Sequence, residues 1–186
     1  MKVNPTSGKD SNFKYGAILL AVCLVSASLL TLVYRNTFDA VQKTAADNLV
    51  KLQREVLPRA ESFRDPCDGV SVGALSDGTV VGKTVSSSRR GYGGEVAVIV
   101  GVDLKGAVVS VKALSHKETP GLGTKALTPE YLAQYAGKKA DKIKLKKDAP
   151  SVGAIDAVTG ATITSRAVAA AVGDALQKAA ASENSK

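Results

Sequence analysis

A chain of 186 residues, 45% hydrophobic and 23% charged, has room for one domain with a real core beside a charge-free apolar segment, and too little for two ordinary domains. With no Trp, three Phe and five Tyr it lacks the exposed rings of a single-strand stacking platform, and no nucleic-acid motif accompanies the net charge of +8. Two cysteines, Cys23 and Cys67, and a single histidine, His116, exclude a disulfide scaffold, structural zinc and c-type haem.

Between Lys14 and Arg35 lie twenty residues without a charge, Tyr15 to Tyr34. As a helix this run spans about 30 Å, the thickness of a bilayer's hydrocarbon core. A tyrosine stands at each end, where amphipathic rings favour the headgroups. A cleaved signal peptide has a shorter apolar core followed by a small-residue cleavage site. Here Leu29, Leu30, Leu32 and Val33 continue past Ser26-Ala27-Ser28, and Val22 is a poor residue before Cys23 for a lipoprotein site. Residues 15–34 are therefore predicted as an uncleaved transmembrane helix behind a cytoplasmic tail, 1–14. Lys and Arg near the two ends of the segment barely discriminate its orientation. A short tail ahead of a long domain puts that domain on the periplasmic or outer face of a bacterial cytoplasmic membrane.

Phe38, Val41, Ala45, Leu49, Leu52 and Val56 recur at steps of three and four, one face of an amphipathic helix ended by Pro58. Residues 35–58 are predicted as a membrane-proximal helix that continues the anchor or packs on the domain, 59–181. Short β-prone runs broken by Gly73, Gly78 and Gly82 follow from Val70 to Thr84. The clearest hairpin runs from Glu95 to Val102, turns at Asp103–Gly106 and returns from Ala107 to Leu114. After a loop, Ser115 to Thr124, a short helix opens with Thr128 as N-cap and Pro129 at its first position, and Gly137 marks its stop. Lys138 to Lys147 holds six lysines and one aspartate, read as a solvated turn and edge strand. Ile163, Ala167, Val168, Ala171, Val172, Ala175, Leu176 and Ala179 share the buried face of a last helix. A polar tail, 182–186, ends the chain. The whole reads as α+β: one N-terminal transmembrane helix, then a single antiparallel-sheet domain with a C-terminal helix.

Ordinary catalytic motifs are absent. There is no P-loop, and Gly91-Tyr-Gly-Gly94 precedes a strand, so it reads as a turn and not a dinucleotide fingerprint. His116 and Glu118 form a possible acid–base pair, although side chains two apart in a loop often do nothing together. Asp156-Ala-Val-Thr-Gly-Ala-Thr-Ile-Thr-Ser165 is different. It crowds Thr159, Thr162, Thr164 and Ser165 at a helix N-terminus, where free N–H groups and the dipole favour an anion. Gly160 and Ala161 leave room for a bulky group. The residues alone leave two readings open, an anion site and a generous N-cap.

Asp156-Ala-Val-Thr-Gly-Ala-Thr162 resembles the flavinylation signal, D-x-x-[ST]-G-A-T, of the covalent FMN-binding domain family. Gly91-Tyr-Gly-Gly94 with its following strand, and His116-x-Glu-Thr-Pro-Gly-Leu-Gly123, are similar to that family as well. With the single anchor and Val56-Leu-Pro58, the chain resembles the G subunits of Rnf electron-transport complexes. The related C subunits of sodium-pumping NADH:quinone reductases, generally longer, are the alternative.

The resemblance implies a cofactor, FMN, esterified through its phosphate to Thr162 by a flavin transferase that takes FMN from FAD. Asp156, Thr159, Gly160 and Ala161 would form the recognition signal. His116, Glu118, Thr119, Gly121, Leu122 and Gly123 would form a loop close to the flavin. It implies an electron carrier that is not a complete enzyme alone, in a complex coupling ferredoxin/NAD electron transfer to ion translocation. The implied partners are the other membrane and iron–sulfur subunits, the transferase and membrane lipid, with no nucleic acid. A threonine hydroxyl is a poor nucleophile near neutral pH and no base is adjacent in sequence, so attachment is expected from a separate metal-dependent transferase. A tethered binding module without flavin, and a flavoenzyme reducing a small extracytoplasmic acceptor, are the readings from other classes.

Overall fold

The computed structural model describes residues 7–67 and 69–182. The tail residues 1–6, the Cys67 side chain and the end of the polar tail, 183–186, lie outside what it describes. Two units divide the chain, residues 1–47 and 48–186.

Most of the first unit is a single helix, α1 (Ser7–Val56), whose last turns belong to the second unit. No break separates the apolar run from the predicted membrane-proximal helix. Among the described residues one helix, over Lys14–Val56, is long and apolar enough to cross a membrane. Its hydroxyls are satisfied internally: Ser28 Oγ donates to the Leu24 carbonyl at 2.7 Å and Thr31 Oγ1 to the Ala27 carbonyl at 2.8 Å. Such i−4 bonds let hydroxyls sit in an apolar segment without an orphaned donor.

The second unit is built on an antiparallel meander of β1 (Ser62–Cys67), β2 (Val70–Ala74), β3 (Val80–Arg90), β4 (Glu95–Asp103) and β5 (Val108–His116). β3 and β4 pair without interruption from Gly82↔Asp103 to Arg90↔Glu95. The β4–β5 turn follows from its residues. Asp103 Oδ1 accepts from the Lys105 and Ala107 N–H groups, each at 2.8 Å, and Gly106 takes φ 72°. β1 escaped the sequence reading because Pro66 argues against a strand. It is tolerated here because β1 is an edge, with its register shifting between Arg64 and Cys67.

On one face of the sheet, Val85, Val96, Val98, Val100 and Val102 meet Val168, Ala171, Val172, Ala175 and Leu176 of the last helix, α3 (Thr162–Ala181). Lys83 Nζ donates to the Ala179 carbonyl at 2.8 Å and to Ser182 Oγ at 2.9 Å, supplying a cation to the helix C-terminus. The core face matches the sequence reading with one exception. Ile163 is 50% exposed, because the first turn of α3 overhangs the core and the buried positions there are Thr164 and Ser165. The opposite face receives the end of α1. Val56 is 0% and Leu57 2% exposed, whereas Phe38 and Val41 of the predicted apolar stripe are exposed.

Thr128 caps the one-turn helix α2 (Pro129–Leu132), its Oγ1 accepting from the Tyr131 N–H at 3.3 Å, with Pro129 first in the helix. The lysine-rich stretch forms no strand. Residues Ala140–Lys142 make a 3₁₀ turn, and Leu145↔Ile155 is a lone parallel bridge. Ile143 and Leu145 are buried between exposed lysines, so the segment is a strap pinned by alternate apolar residues, and the free edges belong to β1 and β5.

Tyr131 and Tyr135 pack edge to face with centroids 6.2 Å apart, and both hydroxyls are buried without a hydrogen-bond partner. Burial raises both phenol pKa values. A raised native value means that the folded chain holds a proton the unfolded chain releases above about pH 10. Stability is then fully present below that pH and falls above it by about 1.4 kcal/mol per pH unit per tyrosine. Tyr135→Phe is expected to remove its share of this alkaline slope and to leave neutral-pH stability equal or higher, since no bond is lost. Urea unfolding at pH 8 and pH 11 measures both.

Candidate functional site

Three segments converge on one open cavity of about 230 Å³. The first is the β3–β4 turn, closed by the Gly91 N–H donating to the Gly94 carbonyl at 2.7 Å. The second is the strap after β5, which folds back on itself. There Gly121 (φ 76°) donates its N–H to Thr124 Oγ1 at 2.9 Å and Leu122 donates its own to the Thr119 carbonyl at 3.2 Å. The third is the start of α3.

That start has an unusual form. Ala161 occupies the N-cap position and no side chain caps the helix. The neighbouring hydroxyls are turned elsewhere: Ser165 Oγ accepts from the Val158 N–H at 3.1 Å, and Thr164 Oγ1 donates to Glu118 Oε2 at 3.0 Å. The generous N-cap expected as one reading is therefore absent. The uncapped N–H groups and the positive end of the dipole face the cavity rim, where Thr162 is the first helical residue.

The structure brings together seven of the eleven residues singled out by sequence. Glu118, Thr119, Leu122 and Gly123 line the cavity from the strap, and Gly160, Ala161 and Thr162 from the helix start. Gly160 takes φ 81°, and a Cβ there would meet Leu122 Cδ1 at 3.3 Å, so glycine brings the two segments close.

The other four lie apart from the cavity. Asp156 and Thr159 are exposed on the loop leading to it. Asp156 pairs with Lys146 Nζ at 2.8 Å and donates its N–H to Gln134 Oε1 at 2.8 Å, so that stretch of loop is held. Gly121 is exposed at the strap's outer bend. His116, at the end of β5, lines a second open hollow of about 730 Å³ with Arg90 and Lys117. It is not paired with Glu118, whose bonds go to Gly93 and Thr164.

Sequence reasoning missed Tyr92 and Ile163 at the rim and the turn of Thr164 toward Glu118. Tyr92 is 73%, Leu122 46% and Ile163 50% exposed, an apolar fringe round a helix N-terminus. An aromatic between glycines in a turn was the available signal for Tyr92. These residues fit FMN: uncapped N–H groups for a phosphate, glycine and alanine where a bulky group must pass, and apolar side chains for a flat ring. At about 230 Å³ the cavity is a shelf for part of a ligand, below the roughly 300–1,000 Å³ of pockets that enclose one.

The FMN-binding domain family matches residues 91–177, from the β3–β4 turn through most of α3. The chain is 31% identical over 177 residues to the G subunit of the proton-translocating ferredoxin:NAD(+) oxidoreductase complex of Clostridium ljungdahlii, covering 91% of this chain and 94% of that one. It belongs to the G-subunit family of Rnf-type ion-translocating oxidoreductase complexes. The G subunit of the Na(+)-translocating ferredoxin:NAD(+) oxidoreductase complex of Acetobacterium woodii is 32% identical over 187 residues, covering 89% of this chain and 90% of that one. The crystal structure of Shewanella oneidensis NqrC is similar with a TM-score of 0.47 and 21% identity, covering 63% of this chain and 66% of that one. The likeness to the G subunits covers far more of the chain than the FMN-binding domain does.

Proposed function

We propose that this chain is the membrane-anchored electron-carrier subunit of an Rnf-type complex, holding FMN as a phosphoester of Thr162. The observation that carries this reading is the position of Thr162, first residue of an uncapped helix and part of the cavity lining. Glu118, Thr119, Leu122, Gly123, Gly160 and Ala161 hold the cofactor with it, and Tyr92 and Ile163 border the ring. When bound, FMN supplies one- and two-electron redox chemistry.

Among the described residues no side chain is hydrogen-bonded to the Thr162 hydroxyl, and a threonine hydroxyl is by itself a poor nucleophile near neutral pH. Attachment therefore falls to a transferase using FAD. The Thr162 Oγ1–phosphorus bond forms, the pyrophosphate bond breaks, AMP leaves, and the hydroxyl proton passes to the enzyme. Asp156 and Thr159, exposed on the loop that leads to the cavity, are the residues such an enzyme reads.

In the assembled complex, residues 15–34 span the membrane, 35–58 lead from it, and the domain 59–181 lies on the periplasmic or outer side. A shelf this shallow, lined by Tyr92, Leu122 and Ile163, would hold the flavin where the membrane and iron–sulfur subunits could exchange electrons with it. The complex as a whole couples ferredoxin/NAD electron transfer to ion translocation.

The test is intact mass after denaturation, on chain co-expressed with a flavin transferase, followed by peptide mapping. The expected result is the mass of one FMN less one water on the peptide holding Thr162. An unmodified chain, under conditions that flavinylate a control, sinks the reading. Asp156→Asn separates recognition from folding. The Lys146 pair is exposed at both partners, so stability should change by less than about 1 kcal/mol. The flavinylated fraction in a time course should fall at least about tenfold, the loss of roughly 1.4 kcal/mol of recognition.

A further inference from the structure

Glu118 is 5% exposed, the one carboxylate among the buried polar residues described. It lies in the cavity lining beneath the Gly91–Gly94 turn and the first turn of α3. Its Oε1 accepts from the Gly93 N–H at 3.2 Å and its Oε2 from Thr164 Oγ1 at 3.0 Å. Each carboxyl oxygen thus has one hydrogen-bond partner. Space for it is left by glycines: a Cβ at Gly91 would stand 2.2 Å from Oε1, and one at Gly123 2.4 Å from Oε2.

No lysine or arginine pairs with it among the described residues, whose ion pairs lie elsewhere. His116 and Lys117, next to it in sequence, line the other hollow. Among the described residues its compensation is two neutral donors and the positive end of the α3 dipole. Burying an unpaired charge is costly, and a neutral glutamine or methionine would fill the same space at less cost to stability. What a neutral residue would not supply is a fixed negative charge, itself shielded from water, in the cavity lining.

We propose that Glu118 is that fixed charge, and that it holds the reduction potential of the bound flavin low by opposing added negative charge on the ring. The inference rests on the cavity being the flavin site. In low dielectric a charge at short range acts far more strongly than one at the surface, and the protein's part in flavin chemistry is such tuning.

The experiment is a spectroelectrochemical titration of the full chain in detergent after co-expression with the transferase, each sample checked by mass for attached FMN. Glu118→Gln is expected to move the potential positive by at least about tenfold in the one-electron equilibrium, which is about 59 mV. Glu118→Asp, which withdraws the charge by one methylene and conserves it, is expected to move it in the same direction by less. A merely structural strap would lower the melting temperature of both variants and leave the potential where it was. Flavinylated variants with unchanged potentials overturn the proposal. So do variants that fold but carry no flavin, since Glu118 would then serve attachment. A wild-type chain without flavin on Thr162 condemns the attachment reading instead, which the mass measurement reports separately.

Discussion

Thr162→Ala is expected to yield a folded chain that carries no covalent flavin. Thr162 is half-buried at the first position of α3, and the buried face of the helix begins two residues later with Thr164 and Ser165. Alanine at a first helical turn removes no core contact and no cap, so stability should stay within about 0.5 kcal/mol of wild type. Loss of attachment should be complete, because the ester oxygen itself is gone. Thr162→Ser keeps the hydroxyl and should be flavinylated more slowly.

Thr164→Val is the opposite case. It removes the donor to Glu118 Oε2 and leaves a buried carboxylate short of a partner, at a cost of about 1–3 kcal/mol. It should nonetheless keep its flavin. In-gel fluorescence after denaturation, read beside a thermal melt, separates the two threonines. A Thr162→Ala chain that keeps its flavin through denaturation ends the acceptor assignment.

Legibility differed by element for physical reasons. The β4–β5 hairpin was readable because alternating β-branched residues and an Asp–Gly turn are local signals, and the structure sets it at Glu95–Asp103 and Val108–His116. The Thr128-Pro129 start and Gly137, at φ 73°, were equally local. Ile163 was assigned to the core because a helical wheel assumes that every turn is covered; the first turn of α3 lies at the cavity and is not. His116 and Glu118, two apart in a predicted loop, read as a possible acid–base pair. β5 ends at His116, and the chain then dives beneath the glycine turn, so their side chains reach different hollows. The burial of Glu118 depends on Gly91 and Gly123, whose joint role exists only once the strap is folded under the hairpin. The Asp156–Thr162 stretch was readable as a candidate site, but only the fold distinguishes its cavity-lining residues, Gly160 to Thr162, from its exposed ones, Asp156 and Thr159.

Glycines within strands present a similar contrast and lead to the largest expected effect on stability. Gly73 and Gly82 read in the sequence as interruptions between short runs, yet they are paired with each other inside β2 and β3. With Gly101 of β4 they leave a trough for the chain at the end of α1. A Cβ at Gly73 would stand 2.6 Å from Leu57 Cδ2, one at Gly82 2.4 Å from the Val102 carbonyl oxygen, and one at Gly101 2.1 Å from the Val56 carbonyl oxygen. At Gly73 a flexible side chain is in the way; at Gly101 it is backbone, which cannot turn aside.

Val56 is fully buried, and Gln53 behind it donates from Nε2 to Ser71 Oγ at 2.9 Å, so the segment cannot lift without exposing both. Gly101→Ala is therefore expected to destabilise the domain by about 3 kcal/mol, the upper range for an overpacked core, and Gly101→Val by more. Gly173, on α3 with open space around it, provides the control: Gly173→Ala should stabilise by about 0.4–1 kcal/mol through helix propensity and reduced freedom of the unfolded chain. Urea unfolding of the three chains in detergent, followed by near-UV circular dichroism, tests the assignment. A Gly101→Ala midpoint equal to wild type would mean that the end of α1 is not seated on the sheet. A lowered midpoint, with a thermal melt lowered by roughly 10–12 °C as about 3 kcal/mol implies for a domain of this size, would mean that the glycine row is what allows the helix end to sit there.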